Sequence, residues 1–431
     1  MINKTLGNLF KGDKVIWMVF FFLCIISVIE VYSASSQLTY KGGSYIAPVL
    51  KHVWILLMGI FCMLVTMNIK CKYFKIVTPF LLLVSFLMLI WVLFAGHSTN
   101  GASRWIGFLG MQFQPSEIAK GALILATAQI LSAMQTEHGA DKLAFRYILF
   151  VCFWIVVPIL LENFSTAILI CSVIFMMMVI GRVPLQQLGK LIGVVAVVIA
   201  VAVLVVFVVG EQADNEEQSR QNTLVEQVDV AGAQEQEEKQ GAFTSIFHRV
   251  GTWRNRLTDF ADSKDLPPDS VDLIGKGAQK NHARIAIVSS NVIGRGPGNS
   301  VERDFLYQAF SDFIYAIIIE EMGFFGALFV AMLYIILLFR TGRIASRCEN
   351  NFPAFLAMGL ALLLVTQALF NMCVAVGLAP VTGQPLPLIS KGGTSTMINC
   401  IYVGVILSVS RSAKKRELGP NEQDDESLVV A

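Results

Sequence analysis

Long apolar runs separated by short polar segments fill most of this chain. An α-helix rises 1.5 Å per residue, so about 20 apolar residues cross a hydrocarbon layer about 30 Å thick. The pattern therefore predicts an all-α integral membrane protein of about ten transmembrane helices. The first run is longer than the apolar part of a typical signal peptide, so we expect it to be retained. The predicted spans lie near residues 15–35, 49–67, 76–95, 114–133, 146–161, 166–181, 189–209, 313–339, 354–376 and 393–410.

The composition indicates the same class of protein. Charged residues make up 15% of the chain and hydrophobic residues 55%, whereas soluble domains carry about 25% charged residues. A net charge of +2, with no basic stretch interleaved with aromatic residues, gives no indication of a nucleic-acid partner. Six of the eight cysteines lie inside apolar runs and none has zinc-ligand spacing. We therefore expect free thiols and no metal held by the protein.

Lysine and arginine are concentrated in alternate short loops, and loops of this kind remain in the cytoplasm. Both termini fall on the basic side, so both are predicted to be cytoplasmic. The predicted order is a cytoplasmic N-terminus (1–14), transmembrane helices 1–7 (15–209), a large external loop (210–312), transmembrane helices 8–10 (313–410) and a cytoplasmic tail (411–431).

The large external loop has three parts with different patterns. Residues 211–240 are acidic, rich in glutamine and free of aromatics, which is typical of a solvated segment. Apolar residues in 243–260 recur at helical spacing with arginines between them. This pattern predicts an amphipathic helix that lies either in the membrane interface or against the protein. Residues 294–298 alternate with glycine and predict a tight irregular segment.

Charged residues near the predicted outer ends of spans are candidates for binding a substrate. Arg104, followed by Trp105, enters the fourth span, where it is either an interfacial anchor or a planar donor for a phosphate. Glu117 and Lys120 follow at i,i+3 spacing on one helical face. Because an isolated charge in a membrane helix costs roughly 2.5–3.5 kcal/mol or more, these two form a structural ion pair or line a polar cavity.

Two further candidates lie where the external loop meets the eighth span and where the tenth span begins. Asp312 is either a helix cap or a functional carboxylate, and Glu320 and Glu321 below it suggest an acidic path from the outer surface. Lys391 lies in a segment rich in proline and glycine that is either a structural break or an anion site. Residue pattern alone thus indicates an outward cavity for an anionic, lipid-borne substrate.

Five segments, taken together and in this order, resemble the SEDS family (shape, elongation, division and sporulation). They are 101–106, 114–120, 294–300, 312–316 with 320–323, and 380–393. The resemblance implies a peptidoglycan glycosyltransferase that polymerises lipid II at the outer face of the bacterial cytoplasmic membrane. It favours the FtsW-like members, which act at the division septum, over the RodA-like members, which act in elongation.

The resemblance also implies roles for individual residues. Asp312 would be catalytic, as the base toward the acceptor sugar's 4-hydroxyl, which attacks the donor's anomeric carbon and expels undecaprenyl pyrophosphate. Arg104 and Lys391 would bind the pyrophosphate. No cofactor held by the protein is implied, and a divalent cation bound with the pyrophosphate is left open. The remaining residues expected to bind substrate are Trp105, Glu117, Lys120, Ser390, Gly392 and Gly393.

The partners implied are lipid II, a class B penicillin-binding protein acting as transpeptidase, other divisome membrane proteins and membrane lipids. A lipid II flippase and a scaffold without chemistry remain alternatives. The chain departs from the family pattern at 161–167, where a Pro-Asp-(Leu/Phe)-Gly-Thr-Ala motif is usual, at 289–291 and at His282. Residues 211–240 have the character of an insertion.

Overall fold

The computed structural model describes residues 11–34, 46–95, 97–99, 102–108, 111–137, 139–197, 278–306 and 309–414. The acidic segment 211–240, the amphipathic helix predicted over 243–260 and the tail after residue 414 lie outside the described residues. The chain divides into two compact units, residues 1–184 with 272–431 and residues 185–271. The described part of the second unit is one helix.

The described part of the chain is largely helical, as predicted. The helices are α1 (Lys14–Ala34), α2 (Ile46–Asn68), α3 (Cys71–Ala95), α4 (Pro115–Ala133), α5 (Lys142–Glu162), α6 (Phe164–Ile180), α7 (Leu185–Val197, the helix of the second unit), α8 (Ala278–Ser289), α9 (Ile314–Ala345), α10 (Asn351–Ala375) and α11 (Thr394–Lys414).

Within the described residues, seven helices are long and apolar enough to cross a membrane: α1, α2, α3, α5, α9, α10 and α11. Helix α4 corresponds to the predicted fourth span, but Glu117 and Lys120 lower its hydrophobicity. Helix α6 has 17 residues and is therefore about 26 Å long at 1.5 Å per residue. The chain is thus a multi-pass membrane protein.

Two small antiparallel sheets correct the all-α prediction. Strands β1 (His97–Thr99), β2 (Ala102–Phe108) and β3 (Met111–Phe113) precede α4, and β4 (Gln135–Thr136) pairs with β5 (Gly139–Ala140) after it. The sequence of β2 contains Trp105, Ile106 and Phe108, which favour strands. These segments form no helix that would pair their backbone N–H and C=O groups internally. The groups therefore pair between neighbouring strands.

Close helix packing in the first unit depends on small residues. A Cβ added at Gly59 of α2 would lie 2.8 Å from Cys400 Sγ, and one added at Gly404 of α11 would lie 2.7 Å from the Met63 carbonyl oxygen. Small residues let helix backbones approach each other closely in membrane proteins. Helix α4 is buried along most of its length and contacts α3, α5 and α10. It therefore holds its charged residues inside the bundle.

The basic ends of several helices meet at one end of the bundle. Arg340 near the end of α9 pairs with Asp13 at 2.7 Å, just before α1. Ser408 of α11 donates to the Ile69 carbonyl oxygen at 2.6 Å, in the α2–α3 connection. We call this the basic end. Since α9 and α11 both end here and therefore run in the same direction, their first residues lie at the other end of the bundle, which we call the site end.

A glycine-rich segment covers a kink in α9. Gly323 has φ 68° and ψ −169° inside the helix, and a Cβ on Gly294 would lie 2.3 Å from the Glu321 carbonyl oxygen. The amides of Arg295 and Gly296 donate to the carbonyl oxygens of Glu320 and Glu321 at 3.0 and 2.8 Å. The helix α8, which the sequence pattern had not predicted, packs its buried face against α9 just before this segment.

Candidate active site

The backbone around Asp312 is fixed by donors from the segment that leads into α11 and from α10. Three successive carbonyl oxygens each accept one hydrogen bond. That of Phe310 accepts from the Lys391 amide at 2.9 Å, and that of Ser311 accepts from Ser390 Oγ at 2.6 Å. That of Asp312 accepts from Asn371 Nδ2 at 2.8 Å. The position of the carboxylate is therefore determined by residues far apart in sequence.

The Asp312 side chain is half-buried and faces a glycine. A Cβ added at Gly383 would lie 3.6 Å from Asp312 Oδ2, so the carboxylate lies beside bare backbone. Ser311 Oγ donates to Asp312 Oδ1 at 3.0 Å. Helix α9 begins at Ile314 and its cap position is Phe313. Asp312 is therefore not the N-cap residue but lies two residues before the first residue of α9, and its catalytic role stays a prediction.

The segment 380–393 that faces Asp312 is held from several sides. Asn371 Nδ2 also donates to the Gln384 carbonyl oxygen at 2.8 Å. Gln384 is buried, and its Nε2 donates to Thr166 Oγ1 of α6 at 2.8 Å. Ser390 Oγ accepts from the Leu386 amide at 2.8 Å, closing a turn. These hydrogen bonds fix segment 380–393 in place, and we call this segment the wall of the site.

Within that turn, Leu388 adopts a left-handed backbone conformation. Its φ is 66°, which costs a residue other than glycine about 1–2 kcal/mol. Beneath the turn, Tyr334 donates its hydroxyl proton to the Pro387 carbonyl oxygen, and Ser27 Oγ donates to the Ile389 carbonyl oxygen at 2.8 Å. These buried contacts offset the strain and hold a shape that the free chain would not adopt.

Lys391 carries the positive charge of this wall. Its Nζ stands over the ring of Phe310 at 4.9 Å from the centroid, two residues from Asp312 in sequence. Burial, and secondly the charge of Lys51, lower the pKa of Lys391 below its ordinary value. Gly392 and Gly393 follow and lead into the first turn of α11, where Gly393 has φ 56°. A partly desolvated ammonium of this kind is suited to a phosphate group.

Glu117 and Lys120 lie deeper in the bundle, beneath this wall. They form an ion pair of 2.8 Å, and their exposed fractions are 2% and 0%. Lys120 Nζ also donates to Gln367 Oε1 at 3.0 Å, and Gln367 Nε2 donates to the Pro385 carbonyl oxygen at 3.1 Å. The pair therefore supports segment 380–393 through Gln367, and its direct contact with substrate stays a prediction.

Arg104 and Trp105 lie on β2, with Trp105 opposite His97 in the strand pairing. Their side chains lie outside the described part of the chain, so their contact with substrate also stays a prediction. In segment 161–167, Asn163 Oδ1 accepts from the Thr166 amide at 3.4 Å at the start of α6. Through Thr166 this departure from the family pattern is joined to Gln384 and hence to the site.

Glu320 and Glu321 do not line an acidic path to the surface, contrary to the interpretation of their spacing. Both are fully buried. Glu320 accepts from Ser300 Oγ at 2.5 Å and from the Val301 amide at 3.0 Å, while Glu321 accepts from the Gly298 amide at 2.9 Å. A buried carboxylate needs such donors. The two acids therefore anchor the glycine-rich segment 294–301 to α9.

The sequence interpretation overlooked Asn371 and Gln367, the residues that connect α10 to the site. They are spaced i,i+4 and so share one helical face of an otherwise apolar span. Polar residues that are costly in a membrane helix usually have a specific partner, and this spacing was the available signal. Among the described residues, no group of three or more His, Cys, Asp or Glu side chains is placed to hold a metal ion.

The fold and the site define a multi-pass helical membrane protein with a carboxylate and an ammonium at one end of its bundle. The family model described as "Cell cycle protein", which covers FtsW, RodA and SpoVE, matches residues 13–228 and 240–415. This chain belongs to that family, which confirms the resemblance inferred from its motifs.

Individual relatives agree with this assignment. The chain is 30% identical over 410 residues to a protein of Geobacter sp. (strain M18) named "Probable peptidoglycan glycosyltransferase FtsW", covering 92% of this chain and 96% of the relative. It is 29% identical over 409 residues to the protein of the same name from Halomonas elongata, covering 92% and 90%.

Solved structures share the fold. One, from work on "Structural coordination of polymerization and crosslinking by a peptidoglycan synthase complex", has a TM-score of 0.65 at 21% identity, covering 93% of this chain and 98% of that chain. The rod shape determining protein RodA of Thermus thermophilus has a TM-score of 0.59 at 19% identity, covering 94% and 98%. At these identities the likeness concerns the fold alone.

Proposed function

We propose that this protein is a peptidoglycan glycosyltransferase that polymerises lipid II, with Asp312 as its catalytic base. Membership of the FtsW/RodA/SpoVE family and the names of its relatives support the activity. The observation that carries the assignment of the site is the fixed backbone of residues 310–312, which holds a half-buried carboxylate beside Gly383. The Lys391 amide is one of the donors that fix this backbone.

The carboxylate of Asp312 accepts the proton of the acceptor sugar's 4-hydroxyl as the oxygen attacks the donor's anomeric carbon. The bond between that carbon and the pyrophosphate oxygen breaks, and undecaprenyl pyrophosphate leaves with the electron pair. A carboxylate can accept this proton when it lies within hydrogen-bonding distance of the hydroxyl. Gly383 has no side chain, so on that side only backbone lies next to the Asp312 carboxylate.

Negative charge develops on the departing pyrophosphate, so cations placed beforehand stabilise the transition state. Lys391 is placed for this role by the hydrogen bond that its backbone amide donates to the Phe310 carbonyl oxygen and by the glycines that follow it. Arg104 is the second candidate, from β2. Where a divalent cation is needed, the pyrophosphate itself supplies oxygen ligands of the kind that such a cation prefers.

Purified protein in detergent with lipid II tests the assignment. We expect Asp312→Asn to reduce polymerisation by about 100-fold or more, because a general base contributes 10²–10⁴-fold. Asp304→Asn is the matched control: it removes one exposed carboxylate from the 3₁₀ helix Glu302–Asp304 of the same segment. Wild-type turnover by Asp312→Asn in correctly folded protein would show that Asp312 is not the base.

The same assay separates the alternatives. A flippase moves lipid II between leaflets but makes no glycan chains in detergent, and a scaffold does neither. The FtsW name of the relatives favours division over elongation. Localisation of a fluorescent fusion at the side wall instead of the septum would favour the RodA-like role.

The remaining parts of the proposal concern the membrane and the partners. We propose ten spans, by adding α4, α6 and the span predicted near residues 189–209 to the seven that meet the length and hydrophobicity of a span. Both termini are then cytoplasmic and Asp312 faces outward. A class B penicillin-binding protein is the proposed transpeptidase partner, which the likeness of fold to a chain of a peptidoglycan synthase complex supports. Other divisome proteins are proposed as further partners.

A further inference from the structure

A cavity of about 500 Å³ opens at the basic end of the bundle, between the ends of α2, α3, α10 and α11. Its lining includes four cationic side chains and, among the described residues, no aspartate or glutamate. Neither the candidate active site nor the proposed reaction uses this cavity. The cations are Lys70, Lys72, Lys75 and Arg411.

Among the described residues, no acid forms an ion pair with any of these cations. Within the described part of the chain, no carboxylate lies within 4.0 Å of any of the four. Lys72 Nζ lies 5.2 Å from the ring centroid of Tyr73, and Lys75 Nζ lies 4.9 Å from that of Phe352. Arg411 Nη1 donates to Asn68 Oδ1 at 3.3 Å. Four positive charges that share one cavity repel one another, and an anion relieves that repulsion.

Two helix N-termini add to this positive potential. Helix α3 begins at Cys71 and α10 at Asn351, both at the cavity, and neither has an acidic residue in its first turn. Asn350, which lines the cavity, makes no side-chain capping bond to α10. The first amides of a helix bind anions because they lack partners within the helix and carry partial positive charge. The cavity is therefore built for an anion such as a phosphate.

An exposed apolar face runs from the cavity along α3. Ile76, Phe80 and Leu83 are 70%, 67% and 57% exposed, and their i, i+4, i+7 spacing places them on one side of the helix. On α2, Phe61 and Val65 are exposed beside the same end. A soluble anion would make no contact with this apolar face, whereas the acyl chains of a lipid bound at the cavity would pack against it.

We propose that this cavity binds the phosphate headgroup of an anionic phospholipid, whose acyl chains lie along the exposed face of α3. Basic pockets between transmembrane helices on the cytoplasmic side are suited to such headgroups. That the lipid comes from the inner leaflet rests on the proposed orientation, but the binding itself does not. The experiment distinguishes this lipid from two other occupants, a soluble phosphate and the acidic residues 424–426 of this chain.

Thermal unfolding of the full chain in detergent, titrated with phosphatidylglycerol or phosphatidylcholine, tests the proposal. We expect phosphatidylglycerol to raise the midpoint and phosphatidylcholine to leave it unchanged. Lys72→Gln with Lys75→Gln should weaken the apparent affinity for phosphatidylglycerol by about tenfold or more, because each cation near an anionic lipid contributes about 1 kcal/mol. Lys142→Gln with Arg146→Gln removes the same charge from exposed positions on α5 and should leave the affinity unchanged.

Each alternative gives a distinct result. An equal loss of affinity in the two double variants would mean general surface electrostatics and would overturn the site. Stabilisation by inorganic phosphate as large as that by phosphatidylglycerol would overturn the lipid assignment. Higher lipid affinity after removal of residues 417–431 would identify the acidic tail as the occupant instead. If the lysine double variant fails to fold, Arg411→Gln is titrated in its place, with the same weakening expected.

Discussion

At the scale of single residues, the lowered pKa of Lys391 predicts how the polymerisation rate depends on pH. Burial and the charge of Lys51 lower its pKa, so Lys391 loses its proton at a lower pH than a free lysine does. If its charge stabilises the leaving pyrophosphate, the polymerisation rate falls on the alkaline side as Lys391 becomes neutral. In Lys391→Arg the side chain stays charged at every pH used, so we expect the alkaline fall to move to higher pH. Rates on lipid II between about pH 7 and 10 measure this shift.

Two further variants separate charge from position. Lys51→Gln removes the neighbouring cation and should raise the pKa of Lys391, moving the alkaline fall upward while keeping the neutral-pH rate. Lys391→Met should lower the rate by about 100-fold at neutral pH, since one donor to a developing oxyanion contributes 10²–10³-fold, and its rate should show no alkaline fall. An alkaline fall that is the same in wild type and Lys391→Arg would mean that another group titrates.

The main charged residues of the site could be predicted from sequence, but their supports could not. Asp312 and Lys391 stand out because charges are costly near a membrane span. The role of Asn371 depends on a contact across 59 residues, and that of Gly383 on its distance from Asp312. Neither leaves a local pattern, because each is set by how α10 and segment 380–393 pack. For Glu117 and Lys120 the sequence left an ion pair and a polar cavity as alternatives, and their connection through Gln367 required the fold.

At the scale of elements, the kink in α9 depends on two glycines in contact. A Cβ on Gly323 would lie 2.4 Å from the Gly294 amide nitrogen and 2.4 Å from the Val292 carbonyl oxygen. Its positive φ adds about 1–2 kcal/mol of strain for any larger residue. We therefore expect Gly323→Ala to lower the thermal unfolding midpoint in detergent and to release the segment that Glu320 and Glu321 hold.

Gly342, in the same helix, provides the matched control. A Cβ there would meet only Met358 Cε at 3.8 Å, an ordinary contact, and alanine favours a helix by up to about 1 kcal/mol over glycine. Gly342→Ala should therefore leave the midpoint unchanged or raise it. Equal midpoints for Gly323→Ala and wild type would show that segment 291–301 does not pack on α9 as described.

The helices were predictable from hydrophobicity, but their irregularities were not. The boundary between α5 and α6 falls at Asn163, between the predicted spans 146–161 and 166–181. The strands β1 to β3 and helix α8 were missed because each is short and gains its stability from neighbours rather than from its own periodicity. The kink at Gly323 was missed for the same reason, since apolar residues continue on both sides of it.

At the scale of the whole molecule, the proposed reaction requires the site end and the basic end to face opposite sides of the membrane. Lipid-linked sugars are polymerised outside, while basic loops remain inside. Single cysteines at two exposed positions test this arrangement. Asn291→Cys precedes the glycine-rich segment on the site end, and Glu137→Cys lies between β4 and β5, next to the predicted basic loop of Lys142.

In right-side-out vesicles, we expect a membrane-impermeant maleimide to label Asn291→Cys at once and Glu137→Cys only after permeabilisation. The same reaction on the unsubstituted chain measures the labelling of native thiols, which is needed because Cys171 is exposed and Cys348 is partly exposed. The reverse labelling would place Asp312 in the cytoplasm, where neither the acceptor sugar nor the growing glycan chain is found. A carboxylate and an ammonium in the same geometry would then have to serve a different reaction, however well the fold matches.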